Sequence, residues 1–494
     1  MKSALIQCGD HFENQSRILP LALHLEALGV KPVVMLYSRA CSGLFKYHRI
    51  NTVYLDDFRF QAKTDTSEFP FDYEEVFFIE RARAYSKYSS PARLKKERAK
   101  LDRDYTAISR ILEKIDPCFV FIWNGYTGNV ANILRTIIGS SAKLKAWYME
   151  RSFFAHSLFV DHEGVNAAAS IAKHFDDRYD GAIPEKYIAG KKWLPELSQS
   201  RAFPDDYVFV PLQVQTDTNN ILYSPYIRKM RSLVVSVVDA VDKINKRQNK
   251  NIKVVVRHHP EEIDKKLNLP KHSLLYFRSE GEIKDWCAHA LCVVNINSTV
   301  GLEAIYLGKP VFSFGQSLYS HDSLNFNVSP QSFYNELERL VLNEARPLDA
   351  DIRKHFFQYL YYYNTCNLDN APGSVVDRIM GNSAESIGAA TPVKNKDQEV
   401  ADYLAGKASL TLGCFVSPQS RLNLTYRNNS LELSPDLYRK LFKTRYGYTG
   451  KMAFRLLENP EDATDYDFVL RDEKHAQLAF PHNRVLDEYL SKVD

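Results

Sequence analysis

Residues 292–315 read CVVNINSTVGLEAIYLGKPVFSFG, and the apolar positions change period twice within them. The continuous run 292–296 predicts a strand buried on both faces. The spacing over 300–307 predicts a helix closed by Gly308-Lys309-Pro310, and 311–314 predicts the next strand. Between strand and helix lies Asn297-Ser298-Thr299. A strand, a hydroxyl-rich turn and a helix make an anion site. The first N–H groups of a helix lack intrahelical partners, and its dipole favours negative charge there. The competing reading is an N-cap that serves only its own helix.

The same patterning organises the rest of the chain. Residues 4–8 predict a strand, 9–11 a turn, and Ile18, Leu21, Leu25 and Leu28 place a helix over 16–28 that Gly29 ends. Residues 33–37 predict the next strand, so the chain opens as a Rossmann-like half. No GxGxxG follows the first strand, which argues against a dinucleotide there. Residues 43–90 are aromatic-rich and show no period that orders them. Pro91–Ile115 predicts a long amphipathic helix carrying LKKERAKLDR, either a solvated face or a contact for an anionic surface or acceptor. Phe119–Trp123 and 144–148 predict further strands. Glu150 follows the second, at a strand end where open α/β sheets place chemistry, and RSFFAHSLFVDHEGVN runs on to Asn166. Residues 167–203 read as helical, then linker-like.

A second series begins with a strand at 207–210, which enters PLQVQTDTNN and its single acid, Asp217. A helix over 228–247, a strand over 252–256 ending in Arg257-His258-His259-Pro260, a strand over 274–278 and a helix over 283–289 follow. Alternation across 205–315 implies a second parallel sheet. Residues 333–343 and 349–363 read as helices, and 382–400 as a small, polar linker. Residues 422–433 suit a hairpin turning at Asn428-Asn429, and Ser434-Pro435 suits the start of a helix through 442. The expected division is an N-terminal domain over 1–203, a second domain over 204–345, a segment over 346–381, a linker over 382–407 and an appended module over 408–494.

Composition narrows the function. At 494 residues the chain exceeds one ordinary core. A formal charge of +4 does not argue for a nucleic-acid partner, and none is expected. The seven cysteines lack metal-ligand spacing, and their apolar settings suit reduced thiols. No signal peptide precedes the first strand, and no apolar run reaches the ~18 residues that span a bilayer. The expectation is a cytoplasmic chain, with peripheral contact to the inner membrane or an assembly machinery left open.

Three loops follow three strands of the second series: QVQTD, RHHP and NST. In a doubly wound sheet such loops gather at the carboxyl edge. They bring a carboxylate (Asp217), a guanidinium (Arg257), an imidazole beside a proline (His259, Pro260) and a helix start with hydroxyls (Ser298, Thr299). That set suits a phosphate-bearing donor that loses its phosphate. Arg257 can pair with phosphate or anchor the fold. No tight Asp/His cluster appears, so neither a metal nor another cofactor is expected.

PLQVQTD, RHHP and INSTVGLEAIYLGKPV, preceded by Glu150 and EGVN at 163–166, resemble the capsule polysaccharide synthase family of bacterial β-Kdo glycosyltransferases, over roughly residues 145–375. Ser152 stands where the family usually has Gly, and Ala155 where it often has Pro. The resemblance implies a GT-B architecture of two Rossmann-like domains. The first domain would hold the acceptor and the second CMP-β-Kdo, with helices from about 346 to 380 returning to the first. It implies retention, which two displacements give; on that reading Asp217 is expected to be the nucleophile and Glu150 the acid/base. His259, Ser298 and Thr299 would hold the phosphate, with Arg257, Pro260 and Asn297 beside them and Glu303 near the ribose. The acceptor would be a bacterial surface glycan or glycolipid, such as capsule polysaccharide, O-antigen or lipopolysaccharide. Three alternatives keep the fold: another donor (CMP-sialic acid or a nucleotide-diphosphate sugar), a sugar-nucleotide epimerase, and a non-catalytic glycan-assembly subunit.

Overall fold

The computed structural model describes residues 2–9, 12–39, 42–62, 69–84, 88–175, 181–189, 204–262, 268–269, 271–278, 281–345, 348–373 and 375, and five strands beyond residue 421. The first sheet is built from β1 (Ser3–Gln7), β2 (Lys31–Leu36), β3 (Asn51–Tyr54), β4 (Phe119–Trp123), β5 (Lys145–Arg151), β6 (Leu158–Asp161) and β13 (Thr365–Cys366). Their order is β13-β6-β5-β4-β1-β2-β3. Strands β1 to β5 run parallel, and β6 is antiparallel to both of its neighbours. The helices of this half are α1 (Phe12–Ala27), α2 (Gly43–Tyr47), α3 (Leu55–Ala62), α4 (Tyr73–Arg83), α5 (Pro91–Ile115) and α6 (Asn129–Gly139). Residues 43–90, which carry no legible period, supply α2, β3, α3 and α4.

The second sheet contains β7 (Tyr207–Pro211), β8 (Lys253–Arg257), β9 (Leu275–Phe277), β10 (Cys292–Asn295), β11 (Val311–Ser313) and β12 (Phe326–Asn327). It is parallel throughout, in the order β12-β11-β10-β7-β8-β9. From β9 inward this is the doubly wound order 3-2-1-4-5-6, whose switch point falls between β7 and β10. The helices of this half are α7 (Glu185–Ala189), α8 (Thr218–Tyr223), α9 (Met230–Gln248), α10 (Ile283–His289), α11 (Val300–Tyr306), α12 (Phe333–Val341) and α13 (Ala350–Asn364). Two Rossmann-like halves of a GT-B architecture therefore face each other, as the alternation of periods predicts.

One aromatic core joins them. Phe153, Phe154 and Phe159 from the first half pack with Tyr207, Phe209, Trp286 and Leu302 from the second, and with Phe356 and Tyr361 of α13. The return to the first half starts with α13 and continues as β13, which adds to the free side of β6; Gly373 and Val375 are again helical, and residues 376–380 lie outside the described residues.

Two expectations are corrected. Helix is predicted after residue 167, but 3-10 turns at Asn166–Ala168 and Ser170–Ala172 stand there. The cause is Asp161, a fully buried carboxylate. It accepts the N–H groups of Glu163 at 2.7 Å, Gly164 at 3.2 Å and Ser170 at 3.1 Å, so the chain winds around the acid. Strand β5 also runs past the predicted end at 148, because β6 pairs with it from Tyr148 to Arg151. Glu150 therefore sits within a strand, not after one.

The appended module contributes β14 (Leu422–Tyr426), β15 (Asn429–Leu433), β16 (Arg455–Leu456), β17 (Phe468–Asp472) and β18 (Gln477–Phe480) in an antiparallel sheet ordered β15-β14-β17-β18-β16. The predicted hairpin is β14 paired with β15. The linker at 382–407, the hairpin turn and the helix predicted from Ser434 lie outside the described residues.

Candidate functional site

The strand order explains why three loops of unlike sequence meet. NST follows β10, QVQTD follows β7 and RHHP follows β8, and these are neighbours in the order β10-β7-β8. Asp217, on the middle loop, is flanked by the other two. The switch point of the first sheet lies between β1 and β4, and the ends of these strands face the same cleft.

The cleft holds two cavities. One, of about 410 Å³, is lined by Arg17, Glu150, Asn166, Asp217, Thr299 and Glu303 among others. The second, of about 390 Å³, is lined by Gln7, Tyr37, Arg83, Trp123, Thr216 and His259 among others. Asn124 and Asp217 line both. Asp217 thus stands where the two cavities adjoin.

Asp217 also caps α8, a helix too short to anticipate from PLQVQTDTNN. Its Oδ1 accepts the Asn219 N–H at 2.8 Å. The capping reading and the cavity reading therefore hold together. Glu150 faces it from β5. Its Oε2 accepts Asn124 Nδ2–H at 3.0 Å, and its Oε1 accepts the Arg151 N–H at 2.9 Å. Burial pushes the Glu150 carboxyl above its ordinary value. These two hydrogen bonds and the Arg151 charge oppose that shift, and the charge of Asp217 adds to it. A carboxylate held this way is suited to take up a proton and return it.

The NST turn is more tightly bound than its sequence suggests. Asn297 clasps three segments. Its backbone N–H donates to Gln213 Oε1 at 3.1 Å, Gln213 Nε2 donates to Asn297 Oδ1 at 2.9 Å, and Asn297 Nδ2 donates to the Asn219 carbonyl at 2.9 Å. Asn297 lines the first cavity at the same time. Ser298 Oγ accepts the Val300 N–H at 3.3 Å, and Tyr319 Oη donates to the Ser298 carbonyl at 2.6 Å. Ser298 is buried and outside the linings of both cavities, whereas Thr299 and Glu303 lie in the first. Gly301 is required here, because a Cβ at that position would stand 2.1 Å from Tyr319 Oη.

The RHHP loop divides in two. His259 lines the second cavity. Arg257 donates to the Gly281 carbonyl and lines neither cavity, which is the anchoring role open to it from the sequence. Pro260 opens a 3-10 turn, Pro260–Glu262, in which the Glu262 N–H closes on the His259 carbonyl at 2.9 Å. The structure therefore brings Asp217 together with Glu150, Asn297, Thr299 and Glu303 in one cavity and with His259 in the other. It sets Arg257, Pro260 and Ser298 behind them.

Sequence reasoning missed Asn124, Asn166, Arg17 and the Thr127–Thr218 pair. The signal for Asn124 was present as Asn-Gly directly after the apolar strand β4. Asn124 takes the left-handed conformation, φ 60°, that asparagine tolerates. Asn166, φ 57°, does the same at the end of EGVN and so reaches the first cavity.

Protein FixF of Sinorhizobium fredii (strain NBRC 101917 / NGR234) is 29% identical over 280 residues, 54% of this chain, and the match spans 65% of that relative's length. Among solved structures, Thermosulfurimonas dismutans KpsC, beta Kdo 2,7 transferase, is similar at 19% identity over 48% of this chain and 78% of that one, with a TM-score of 0.33. The UDP-GlcNAc 2-epimerase of Methanocaldococcus jannaschii is similar at 12% identity over 72% of this chain and 98% of that one, with a TM-score of 0.33. The fold assignment rests on strand order, not on these likenesses. Residues 187–365, which carry QVQTD, RHHP and NST, match the model of the family described as capsule polysaccharide biosynthesis protein.

Proposed function

We propose that the protein is a retaining glycosyltransferase that moves β-Kdo from CMP-β-Kdo to a bacterial surface glycan or glycolipid. The observation that carries this reading is the position of Asp217, shared by two cavities at the switch point and opposite Glu150. A double displacement needs one carboxylate on the face of the sugar carbon opposite both the leaving group and the acceptor, and a second group that manages the acceptor proton.

In the first step a carboxylate oxygen of Asp217 bonds to the anomeric carbon, the bond from that carbon to the phosphate oxygen breaks, and CMP leaves with the electron pair. His259 and Thr299 hold the departing phosphate, and Asn297 fixes the turn that presents Thr299. In the second step the acceptor hydroxyl gives its proton to Glu150 while its oxygen displaces Asp217 from the sugar. Two inversions at one carbon leave the configuration retained. The first half holds the acceptor, and residues 204–345 hold the donor.

Calorimetric titration of CMP, UDP and GDP tests the donor assignment. Binding of CMP roughly tenfold or more tighter than the other two, about 1.4 kcal/mol, supports it. Preference for UDP or GDP replaces the donor, and isomerised donor in the absence of acceptor replaces the reaction.

A further inference from the structure

The first turns of α5 pack on the first half through Leu94 and present their other faces to solvent. Arg93, Lys95, Lys96, Arg98 and Lys100 are all exposed, and Glu97 is the single acid among residues 91–100. Cations at 93, 96 and 100 share one face of the helix and those at 95 and 98 another, while Leu94 packs on the core of the first half. The acids beside this tip have partners, one of which belongs to the tip itself. Asp102 accepts the Phe69 N–H at 2.8 Å and the Tyr73 hydroxyl at 2.6 Å, and Glu74 pairs with Arg81 and, at 3.4 Å, with Arg98.

The pairing of Arg98 with Glu74 ties the tip to α4, and the other end of α4 reaches the cleft. Arg83 Nε donates to the Thr216 carbonyl at 3.3 Å, and Arg83 lines the second cavity. Nine helical residues separate these contacts, about 14 Å along the axis. Phe78 lies between them with 58% of its surface exposed, one turn after Glu74. An exposed aromatic ring beside lysines and arginines is the pattern of a surface that meets a headgroup layer. The cations pair with anionic lipid, and the ring enters the boundary.

We propose that the α5 tip and Phe78 form a docking surface for a bilayer leaflet rich in anionic lipid, with the second cavity opening beside it. The inference does not depend on the identity of the donor sugar. It adds to the proposed reaction a way to present a lipid-borne acceptor to the cleft.

The test is flotation of the full chain with vesicles of phosphatidylcholine alone and of phosphatidylcholine with phosphatidylglycerol, at low and high salt. Binding is expected only to the phosphatidylglycerol vesicles and is expected to weaken in salt. The triple variant K95E/K96E/K100E is expected to lose roughly a hundredfold or more in partitioning. K95R/K96R/K100R is expected to bind as the parent does, which separates charge from folding. Transfer to a soluble acceptor is expected to be unchanged in both variants. Equal binding to both vesicle types, or unaltered binding by the glutamate variant, would overturn the proposal. So would binding to a soluble polyanion as tight as that to vesicles, which would assign the tip to an acidic glycan instead.

Discussion

Thr127 Oγ1 and Thr218 Oγ1 lie 2.8 Å apart and join loops of the two facing sheets. The Thr127 hydroxyl donates to Asn124 Oδ1 at 3.1 Å, which orients the Asn124 amide so that its Nδ2 donates to Glu150. Having given its proton to Asn124, Thr127 accepts from Thr218, the residue after Asp217. A chain of hydrogen bonds thus runs from the proposed acid/base to the neighbour of the proposed nucleophile, and it crosses the cleft.

Thr127→Val should break this chain at its centre. Transfer is expected to fall about tenfold, while stability changes by about 1 kcal/mol or less, the scale of one net hydrogen bond. Thr127→Ser keeps the hydroxyl and should restore most of the rate. Steady-state kinetics with chemical denaturation checks both. A valine variant of parental activity would remove the chain from the mechanism.

Asn124→Ala should shift the pH dependence. The Asn124 amide lowers the Glu150 carboxyl against the upward push of burial. Its loss raises that carboxyl further, so ionised Glu150 appears only at higher pH. The ascending limb of kcat/KM against pH should move to higher pH, and the pH-rate profile of the variant reads this directly.

Glu150→Gln should trade activity for stability. Burial raises the folded-state pKa of Glu150, so the folded protein binds this proton more readily than the unfolded chain does. The contribution favours folding below the unfolded value of about 4.3 and is lost as pH rises through the folded value. At neutral pH the ionised carboxylate is therefore a cost that glutamine removes. Tm should rise at neutral pH, and the gain should disappear in acid, while transfer is lost. A lower Tm at neutral pH would mean that the hydrogen bonds to Glu150 outweigh its burial.

Gly301→Ala should cost about 1–3 kcal/mol, the usual range for overpacking. The added Cβ meets Tyr319 Oη at 2.1 Å and Asn295 Nδ2 at 2.8 Å, and neither neighbour is free to yield. Tyr319 donates to the Ser298 carbonyl at 2.6 Å, and Asn295 Nδ2 donates to Tyr319 Oη at 3.1 Å. Urea denaturation measures the cost. Weaker CMP binding is expected with it, because Tyr319 lines the first cavity.

Much of this arrangement was legible in the sequence where apolar period and loop chemistry coincide. Buried strands such as VVNI and KVVVR declare themselves by continuous apolar runs, and their order along the chain implies parallel pairing. That reasoning placed Asp217 and Thr299 at the carboxyl edge of the second sheet, and read Glu150 separately, at a strand end of the first half. It could not separate Arg257, which faces away toward Gly281, from His259 two residues later, because the direction of a side chain past a strand end depends on loop geometry. Asn124 and Thr127 were missed because their importance comes from the opposite half, through Glu150 and Thr218. The turns after Asp161 were misread as helix because a buried acid can gather backbone N–H groups in a way that composition does not reveal.

The central claim is that Asp217 bonds to the transferred sugar. Intact-mass spectrometry of the protein mixed with CMP-β-Kdo without acceptor, followed by peptide mapping, tests it most directly. The account predicts a Kdo adduct on the peptide containing Asp217, absent in Asp217→Asn and removed when acceptor is added. Transfer at a near-parental rate by Asp217→Asn, or an adduct mapped to another residue, would contradict it.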